Sequence, residues 1–291
     1  MIPYGRQEIT DEDIREVVEV LKSDFITQGE VVPAFERKLS EYTNSKFSIV
    51  VNSATSALHL ACKALQIGVD DIVWTSANTF VASANCALYC GAKIDFIDID
   101  PNTFNISIQA LTEKLELAKK SNTLPKVIIP VHMCGQSCEM KSIYKLSKEY
   151  GFRIIEDASH AIGGKYLGEP IGNCEYSDIT VFSFHPVKII TTGEGGAAVT
   201  NNPKLAKQMK LLSSHGITRD VKDMRVSEPP GPWYYEQIDL GFNYRMTDIN
   251  AALGLSQMKR LDEYISKRHL IARYYDKKLK EFPLRLSLIH I

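Results

Sequence analysis

Apolar residues near the start of the chain recur at helical spacing. From Ile14 to Leu21 they fall on one face of a helix, and Thr10 precedes them as a cap with Asp13 as its capping-box partner. These positions predict a first helix that opens at Thr10. A second helix is predicted from about Val32 to Tyr42, because its apolar residues again share one face.

Seven short apolar runs follow, and helical segments lie between several of them. The runs are rich in Ile, Val and Phe with little polar alternation, which is typical of strands buried on both faces of a mainly parallel sheet. The runs are Ser48 to Val51, Ile72 to Thr75, Ile94 to Ile97, Val127 to Val131, Arg153 to Ile155, Ile179 to Phe184 and Ala197 to Thr200. The helical segments are Thr55 to Leu65, Val81 to Leu88, Ile108 to Lys120 and Lys141 to Tyr150. This order predicts an α/β domain whose seven-stranded sheet carries helices on both faces.

The pattern in the last part of the chain predicts the beginning of a second domain. A proline-rich loop from Val226 to Tyr235 is followed by two predicted helices, about Asp248 to Leu261 and Asp262 to Phe282. We expect a large domain over residues 1–250 and the start of a small C-terminal domain over residues 251–291. The small domain is expected to be incomplete, because the chain stops soon after these helices.

Composition and charge narrow the class of protein. The 291 residues are 44% hydrophobic and 24% charged with a net charge of -1, which is ordinary for a globular protein with a sizeable core. No basic excess points to nucleic acid or to an anionic membrane. No apolar run reaches the roughly 18 residues of a membrane span, and the first residues are not a signal peptide, so a cytoplasmic location is expected.

The cysteines raise the question of a metal. Two Cys-x3-Cys pairs invite a zinc site, and a metal centre built from His132, Cys134 and His160 stays an alternative. We favour reduced thiols and no metal, because no second pair lies at finger-like spacing. The six cysteines are Cys62, Cys86, Cys90, Cys134, Cys138 and Cys174.

Small polar residues join the first apolar run to the next helix, from Asn52 to Leu58. A helix N-terminus offers free N–H groups and a positive dipole to an anion such as phosphate, and small side chains let the backbone approach. The alternative is an ordinary capped turn.

Two further stretches carry candidate chemistry. A buried run ends in Glu156, Asp157 and, three residues on, His160; a carboxylate there can pair with a pyridinium nitrogen. Lys188 follows another buried run and precedes the glycine-rich turn 191–196, so burial can keep its amine neutral for covalent chemistry. The alternatives are a surface acid pair and an ordinary surface lysine.

A last polar stretch lies in the loop that precedes the helix at Asp248. Asn243 and Arg245 are free polar groups there, and Thr247 or Asp248 can cap the helix. The alternative is a plain turn with its cap.

Together these stretches resemble the sugar aminotransferases of the DegT/DnrJ/EryC1/StrS family, a branch of the fold-type I pyridoxal-phosphate enzymes. The resemblance runs from Ile2 to about Phe282. It rests on motifs in the family's order and spacing, at residues 53–58, 79–82, 156–160, 183–188, 191–196 and 243–246. It implies a fold-type I domain, pyridoxal 5'-phosphate as cofactor, and a nucleotide-sugar and an amino-acid donor as substrates.

The resemblance also implies roles for single residues. Lys188 matches the lysine that binds the cofactor covalently, and Asp157 the acid on the pyridine nitrogen; these two are the predicted catalytic residues. Asn243 matches a residue that reaches the phosphate of a neighbouring subunit, which implies a homodimer with shared sites. The other implied cofactor contacts are Phe80 stacked on the ring, His160 near the ring hydroxyl, and Ala54, Thr55 and Ser183 at the phosphate. The implied substrate contacts are Tyr4, Ile26, Thr27 and Gln28.

Within the family, the likeness is to the branch that serves pseudaminic acid synthesis. It rests on residues 2–7, 84–90, 214–220 and 231–235. It implies amination of C4 of a UDP-linked 4-keto-6-deoxy-N-acetyl-hexosamine, with glutamate as donor. The alternatives are a C3 or C4 aminotransferase for another nucleotide-sugar and a non-catalytic, cofactor-binding regulator. Dehydratase relatives carry histidine at the position of Lys188, so this lysine favours transamination.

Overall fold

The computed structural model describes residues 5–283, and its first two helices begin as the sequence predicts. Helix α1 spans Asp11–Lys22 and α2 spans Val31–Thr43. The predicted capping box is confirmed, since the Thr10 backbone N–H donates to Asp13 Oδ2 at 2.9 Å. Asp13 is fully buried, and its carboxylate also accepts two hydrogen bonds of 2.7 Å from Arg260. That ion pair ties the N-terminal helix to the segment just before the last described helix, Leu261–Leu279.

The seven apolar runs form one central sheet. Its order is β1-β7-β6-β5-β4-β2-β3; only β7 runs against its neighbours, and the other strands all point the same way. The predicted mainly parallel seven-stranded sheet is therefore confirmed. The strands are β1 Phe47–Val51, β2 Ile72–Ser76, β3 Lys93–Ile97, β4 Val127–Ile129, β5 Arg153–Asp157, β6 Ile179–Ser183 and β7 Gly196–Thr200.

The observed end of β4 differs from the predicted end at Val131. That strand stops at Ile129 because Pro130, which follows it, has no N–H to donate to a ladder. Val131 makes only an isolated bridge to Asp157. The carbonyl of Pro130 still accepts from the Asp157 N–H at 2.9 Å, so the two strand ends stay side by side.

Helices cover both faces of the sheet, as expected for strands that are buried on both sides. Successive strand residues enter opposite cores: Ile155 lies in one buried cluster with Leu58, while Ile154 lies in another with Leu111. Helix α7 was not predicted, although Asn202 caps it and Pro203 occupies its first turn. The remaining helices are α3 Ala54–Ala64, α4 Ala82–Leu88, α5 Ile108–Ser121, α6 Met140–Tyr150, α7 Pro203–Ser213, α8 Asp248–Met258 and α9 Leu261–Leu279.

Helix α8 crosses the boundary that we placed between residues 250 and 251. Its Ala251 and the following Leu261 lie in the same buried cluster as Phe35 of α2 and Phe182 of β6. The division into two domains stays a prediction. The predicted loop from Val226 to Tyr235 is confirmed, since this stretch contains neither helix nor strand.

Within residues 5–283, no helix combines the length and the apolar character that a membrane crossing requires.

Strand β7 begins directly against the N-terminus of α3. A Cβ built on Gly196 would lie 2.6 Å from the Ala54 Cα and 2.6 Å from the Ser53 carbonyl carbon, which are backbone atoms that cannot rotate away. Glycine therefore sets the closest approach of the sheet to this helix end.

We expect Gly196→Ala to destabilise the fold by about 2 kcal/mol, because overpacking against backbone forces the strand and the helix apart. Chemical denaturation of the purified variant measures the free energy of unfolding. Gly68→Ala is the matched control, since nothing lies within 4 Å of a Cβ at Gly68. Equal stability of the two variants would contradict the close approach.

Candidate active site

A cavity of about 440 Å³ opens where several strands end. Asp157 is the last residue of β5 and Ser183 the last of β6, and Ser53 follows β1. Because these three strands point the same way, their carboxyl ends meet at one edge of the sheet, where open α/β sheets bind ligands. The cavity is within the size range of cofactor sites. It is lined by seven predicted site residues, namely Ala54, Thr55, Phe80, Asp157, His160, Ser183 and Lys188.

Lys188 lies in the turn after β6 and is half-buried. Its backbone N–H donates to the His185 carbonyl at 2.9 Å, which fixes the turn. Burial lowers the pKa of the Lys188 amine, and the Asp157 carboxylate opposes that shift by attraction. The amine therefore stays neutral to a lower pH than that of an ordinary lysine, as covalent chemistry requires.

Asp157 is 4% exposed and its carboxylate accepts three hydrogen bonds. Ser83 Oγ donates to Oδ2 at 2.6 Å, and Ser159 donates to Oδ1 from its hydroxyl at 2.6 Å and from its N–H at 3.1 Å. Neither serine was predicted. Ser159 stands two residues after the acid, a spacing at which such local bonds are common. Ser83 is 74 positions away, and no local pattern points to it.

His160 faces the same cavity and is held as a neutral ring. The Cys134 N–H donates to His160 Nδ1 at 3.1 Å, so the proton of the neutral ring is on Nε2. Burial lowers the pKa of His160, and the nearby Lys188 lowers it further. The Nε2–H is therefore a donor available for a ligand.

His132 belongs to a different, fully buried pair. Its Nε2 lies 2.7 Å from Glu156 Oε2, and its Nδ1 accepts from the Cys138 N–H at 3.1 Å. Both ring nitrogens are thus engaged by protein atoms, which leaves none for the metal alternative. Across residues 5–283, no group of three or more histidine, cysteine or acidic side chains is arranged to hold a metal ion.

The first turn of α3 forms one wall of the cavity. Ser53 caps the helix, because its hydroxyl accepts from the Ser56 N–H at 3.1 Å. Ala54 and Thr55 follow at the positive end of the helix dipole and line the cavity. This arrangement fits a phosphate group, for which helix N-termini are a common binding site.

Phe80 also lines the cavity and is 71% exposed. Val81 and Val187, which adjoin the cavity residues Phe80 and Lys188, are also exposed apolar side chains. An aromatic face at the mouth of the cavity suits a flat ring ligand.

Four predicted residues lie apart from the cavity, and a fifth is not described. Asn243 is exposed and bridges Ser214 through its backbone. Ile26, Thr27 and Gln28 are exposed in the loop before α2, and Gln28 lines a separate cleft. Tyr4 lies outside the described residues. The roles of all these residues stay predictions.

The parallel sheet, with a lysine and an acid at the ends of adjacent strands, defines the class of fold-type I pyridoxal-phosphate-dependent aminotransferases. The chain belongs to the DegT/DnrJ/EryC1/StrS aminotransferase family, whose sequence model matches residues 7–290. Members of this family use pyridoxal phosphate, and the cavity fits it through its helix cradle, its lysine and its acid.

Similar proteins place the chain within this family. It is 44% identical over 281 residues to the UDP-4-amino-4,6-dideoxy-N-acetyl-beta-L-altrosamine transaminase of Campylobacter jejuni, covering 97% of this chain and 70% of that protein. The solved structure of Helicobacter pylori PseC, an aminotransferase of pseudoaminic acid biosynthesis, matches with a TM-score of 0.86 at 36% identity, over 97% and 71% of the two chains. The PLP-form of the putative sugar aminotransferase Spr1654 from Streptococcus pneumoniae matches with a TM-score of 0.83 at 32% identity, over 96% and 72%.

We expect the Lys188 amine of the cofactor-free protein to react with an amine-specific reagent at lower pH than an ordinary lysine, because burial lowers its pKa. In Asp157→Asn the midpoint should fall further, since the carboxylate that favours the charged amine is gone. Mass spectrometry of the Lys188 peptide across a pH series measures both midpoints. A midpoint that stays unchanged or rises in Asp157→Asn would contradict the attraction between the two groups.

Proposed function

We propose that this protein transfers an amino group from glutamate to C4 of a UDP-linked 4-keto-6-deoxy-N-acetyl-hexosamine. The observation that carries the chemistry is the presence of Lys188 and Asp157 in one cavity beside a helix N-terminus. The sugar is supported by the name of the 44% identical C. jejuni transaminase and by the pathway named for PseC. A cytoplasmic location fits the free thiols of the chain.

Bound pyridoxal phosphate supplies an electron sink that stabilises negative charge on the carbon that loses a proton. Lys188 has two tasks in this proposal, covalent attachment of the cofactor and transfer of a proton. Its neutral Nζ accepts the proton from the Cα of the amino donor, because burial disfavours the charged amine. The same atom moves a proton in the reverse sense when the keto-sugar accepts the nitrogen.

Four side chains and one helix end bind and orient the cofactor in this proposal. The Asp157 carboxylate pairs with the protonated ring nitrogen, and Phe80 covers one face of the ring. His160 offers its Nε2–H to the ring hydroxyl. Ala54 and Thr55 hold the phosphate at the start of α3, with Ser183 at the end of β6. Tyr4, Ile26, Thr27 and Gln28 are proposed to contact the nucleotide-sugar.

We propose further that two copies of the chain share their sites. Asn243 is exposed, lies apart from the cavity of its own chain and is free to reach the phosphate in a second copy. The exposed Phe80 and Val81 at the mouth of the cavity are suited to burial against that copy. The symmetry of a two-fold dimer makes such an exchange reciprocal.

The test of the substrate is amination of a panel of UDP- and dTDP-linked 4-keto-sugars with glutamate, read by mass spectrometry of the product. We expect product from the UDP-linked 4-keto-6-deoxy-N-acetyl-hexosamine and none with Lys188→Ala. Borohydride reduction should fix the cofactor to the Lys188 peptide of the natural protein alone. A clear preference for a dTDP-sugar would refute the substrate, and full turnover by Lys188→Ala would refute the chemistry. Cofactor binding without any turnover would favour the regulator alternative.

Shared sites predict complementation between two inactive variants. Lys188→Ala lacks its amine and Asn243→Ala weakens the phosphate site of its partner, yet a mixed dimer regains one intact site. After reassortment of equal amounts, about a quarter of natural activity is expected, because half the dimers are mixed and each has one intact site. Activity no greater than that of the separate variants would contradict the shared site.

A further inference from the structure

We infer that Ser83 is a positioning residue that fixes the Asp157 carboxylate for its contact with the cofactor. Thr79 in turn holds the Ser83 hydroxyl. The inference rests on the proposed function, since it concerns the same acid. Neither Ser83 nor Thr79 belongs to the predicted site residues, and Ser83 does not line the cavity. Ser83 acts on the cofactor only through the acid.

Ser83 is placed for this task by the start of α4. It is fully buried, and its Oγ lies 2.6 Å from Asp157 Oδ2. That distance is typical of a hydroxyl that donates to a charged carboxylate. The bond joins α4 to the end of β5, two elements that are separated by 74 positions along the chain. The hydroxyl therefore connects one wall of the cavity to its acid.

The number of donors to the Asp157 carboxylate explains why the bond from Ser83 matters for a bound cofactor. A carboxylate offers about four positions to hydrogen-bond donors. On Asp157, two are taken by Ser159 at Oδ1 and one by Ser83 at Oδ2. One position on Oδ2 is left for the proton of a ring nitrogen. Without Ser83, the carboxylate would keep its bonds at Oδ1 but lose the one that fixes Oδ2.

Thr79 extends the chain of hydroxyls towards the mouth of the cavity. Its Oγ1 lies 2.7 Å from Ser83 Oγ. A hydroxyl has one proton, and that of Ser83 is donated to Asp157, so Thr79 donates to Ser83 at 2.7 Å in preference to the Phe80 carbonyl, which lies farther away at 3.3 Å. Thr79 precedes Phe80 and lines the cavity with it. The Thr79–Ser83–Asp157 relay thus links the acid to the segment that carries the exposed ring.

The experiment measures the affinity of the cofactor-free protein for pyridoxal phosphate by equilibrium dialysis. Ser83→Ala should weaken binding about tenfold or more, because it leaves a buried charged oxygen short of one donor. Thr79→Val should weaken binding less, because it removes only the outer member of the relay. The double variant should bind no more weakly than Ser83→Ala alone, since Thr79 acts through Ser83.

Ser76→Ala is the matched control. Ser76 is a serine of β2 that is 1% exposed, and its hydroxyl has no hydrogen-bond partner among the described residues. We expect this variant to bind pyridoxal phosphate like the natural protein. The thermal unfolding midpoint of Ser76→Ala without cofactor measures the change in stability caused by losing a buried serine hydroxyl that does not touch Asp157.

Three outcomes would overturn the inference. The first is cofactor affinity of Ser83→Ala equal to that of Ser76→Ala. The second is that Ser83→Ala weakens cofactor binding as much in the Asp157→Asn background as in the natural protein, because Ser83 would then act by another route. The third is natural protein that binds no pyridoxal phosphate, which would remove the proposed function as well. Intact binding by the natural protein with an unchanged Ser83→Ala variant would remove the inference alone.

Discussion

The site depends on the parallel register between β5 and β6. Asp157 at the end of β5 pairs with Val181 of β6, so the turn that carries Lys188 leaves β6 beside the acid. Burial and the Asp157 carboxylate then have opposite effects on the pKa of the Lys188 amine: burial favours a neutral amine, and the carboxylate favours a charged one. A slip of one residue would turn Asp157 to the other face of the sheet and end this opposition.

Backbone contacts, more than side chains, shape the wall of the cavity at the start of α3. Strand β7 approaches the start of α3 so closely that only a glycine fits at position 196. The Ser53 cap keeps the first turn of α3 regular, so its free N–H groups point in a fixed direction. A phosphate bound there would be stabilised by the helix dipole without any rearrangement of the first turn of α3. The proposed covalent attachment at Lys188 and the proposed anion binding at α3 thus rest on separate parts of the fold.

Much of this architecture could be predicted because its signals are local. The Thr10 capping box, the apolar runs and the cluster of residues at the strand ends all follow from periodicity and short spacings. What could not be predicted depends on distant partners. Helix α2 has no side-chain cap from its own segment; instead, Asp248 accepts from the N–H groups of Val31 and Val32 at 2.9 Å. The bond from Ser83 to Asp157 is equally remote, since periodicity reports burial and not which polar groups meet.

Asp248 also shows how the fold separates the proposed chemistry from the proposed recognition of the sugar. The same buried carboxylate accepts from the Gly29 N–H at 2.7 Å, and the Asp248 N–H donates to the Ile26 carbonyl at 3.1 Å. One residue thus holds the loop proposed to contact the nucleotide-sugar. The proposed reacting groups lie elsewhere, Asp157 at the end of a strand and Lys188 in the turn after the neighbouring strand. Substitutions in an exposed loop leave a strand register untouched. A family that aminates different sugars can therefore vary the loop before α2 and keep the geometry of Lys188 and Asp157.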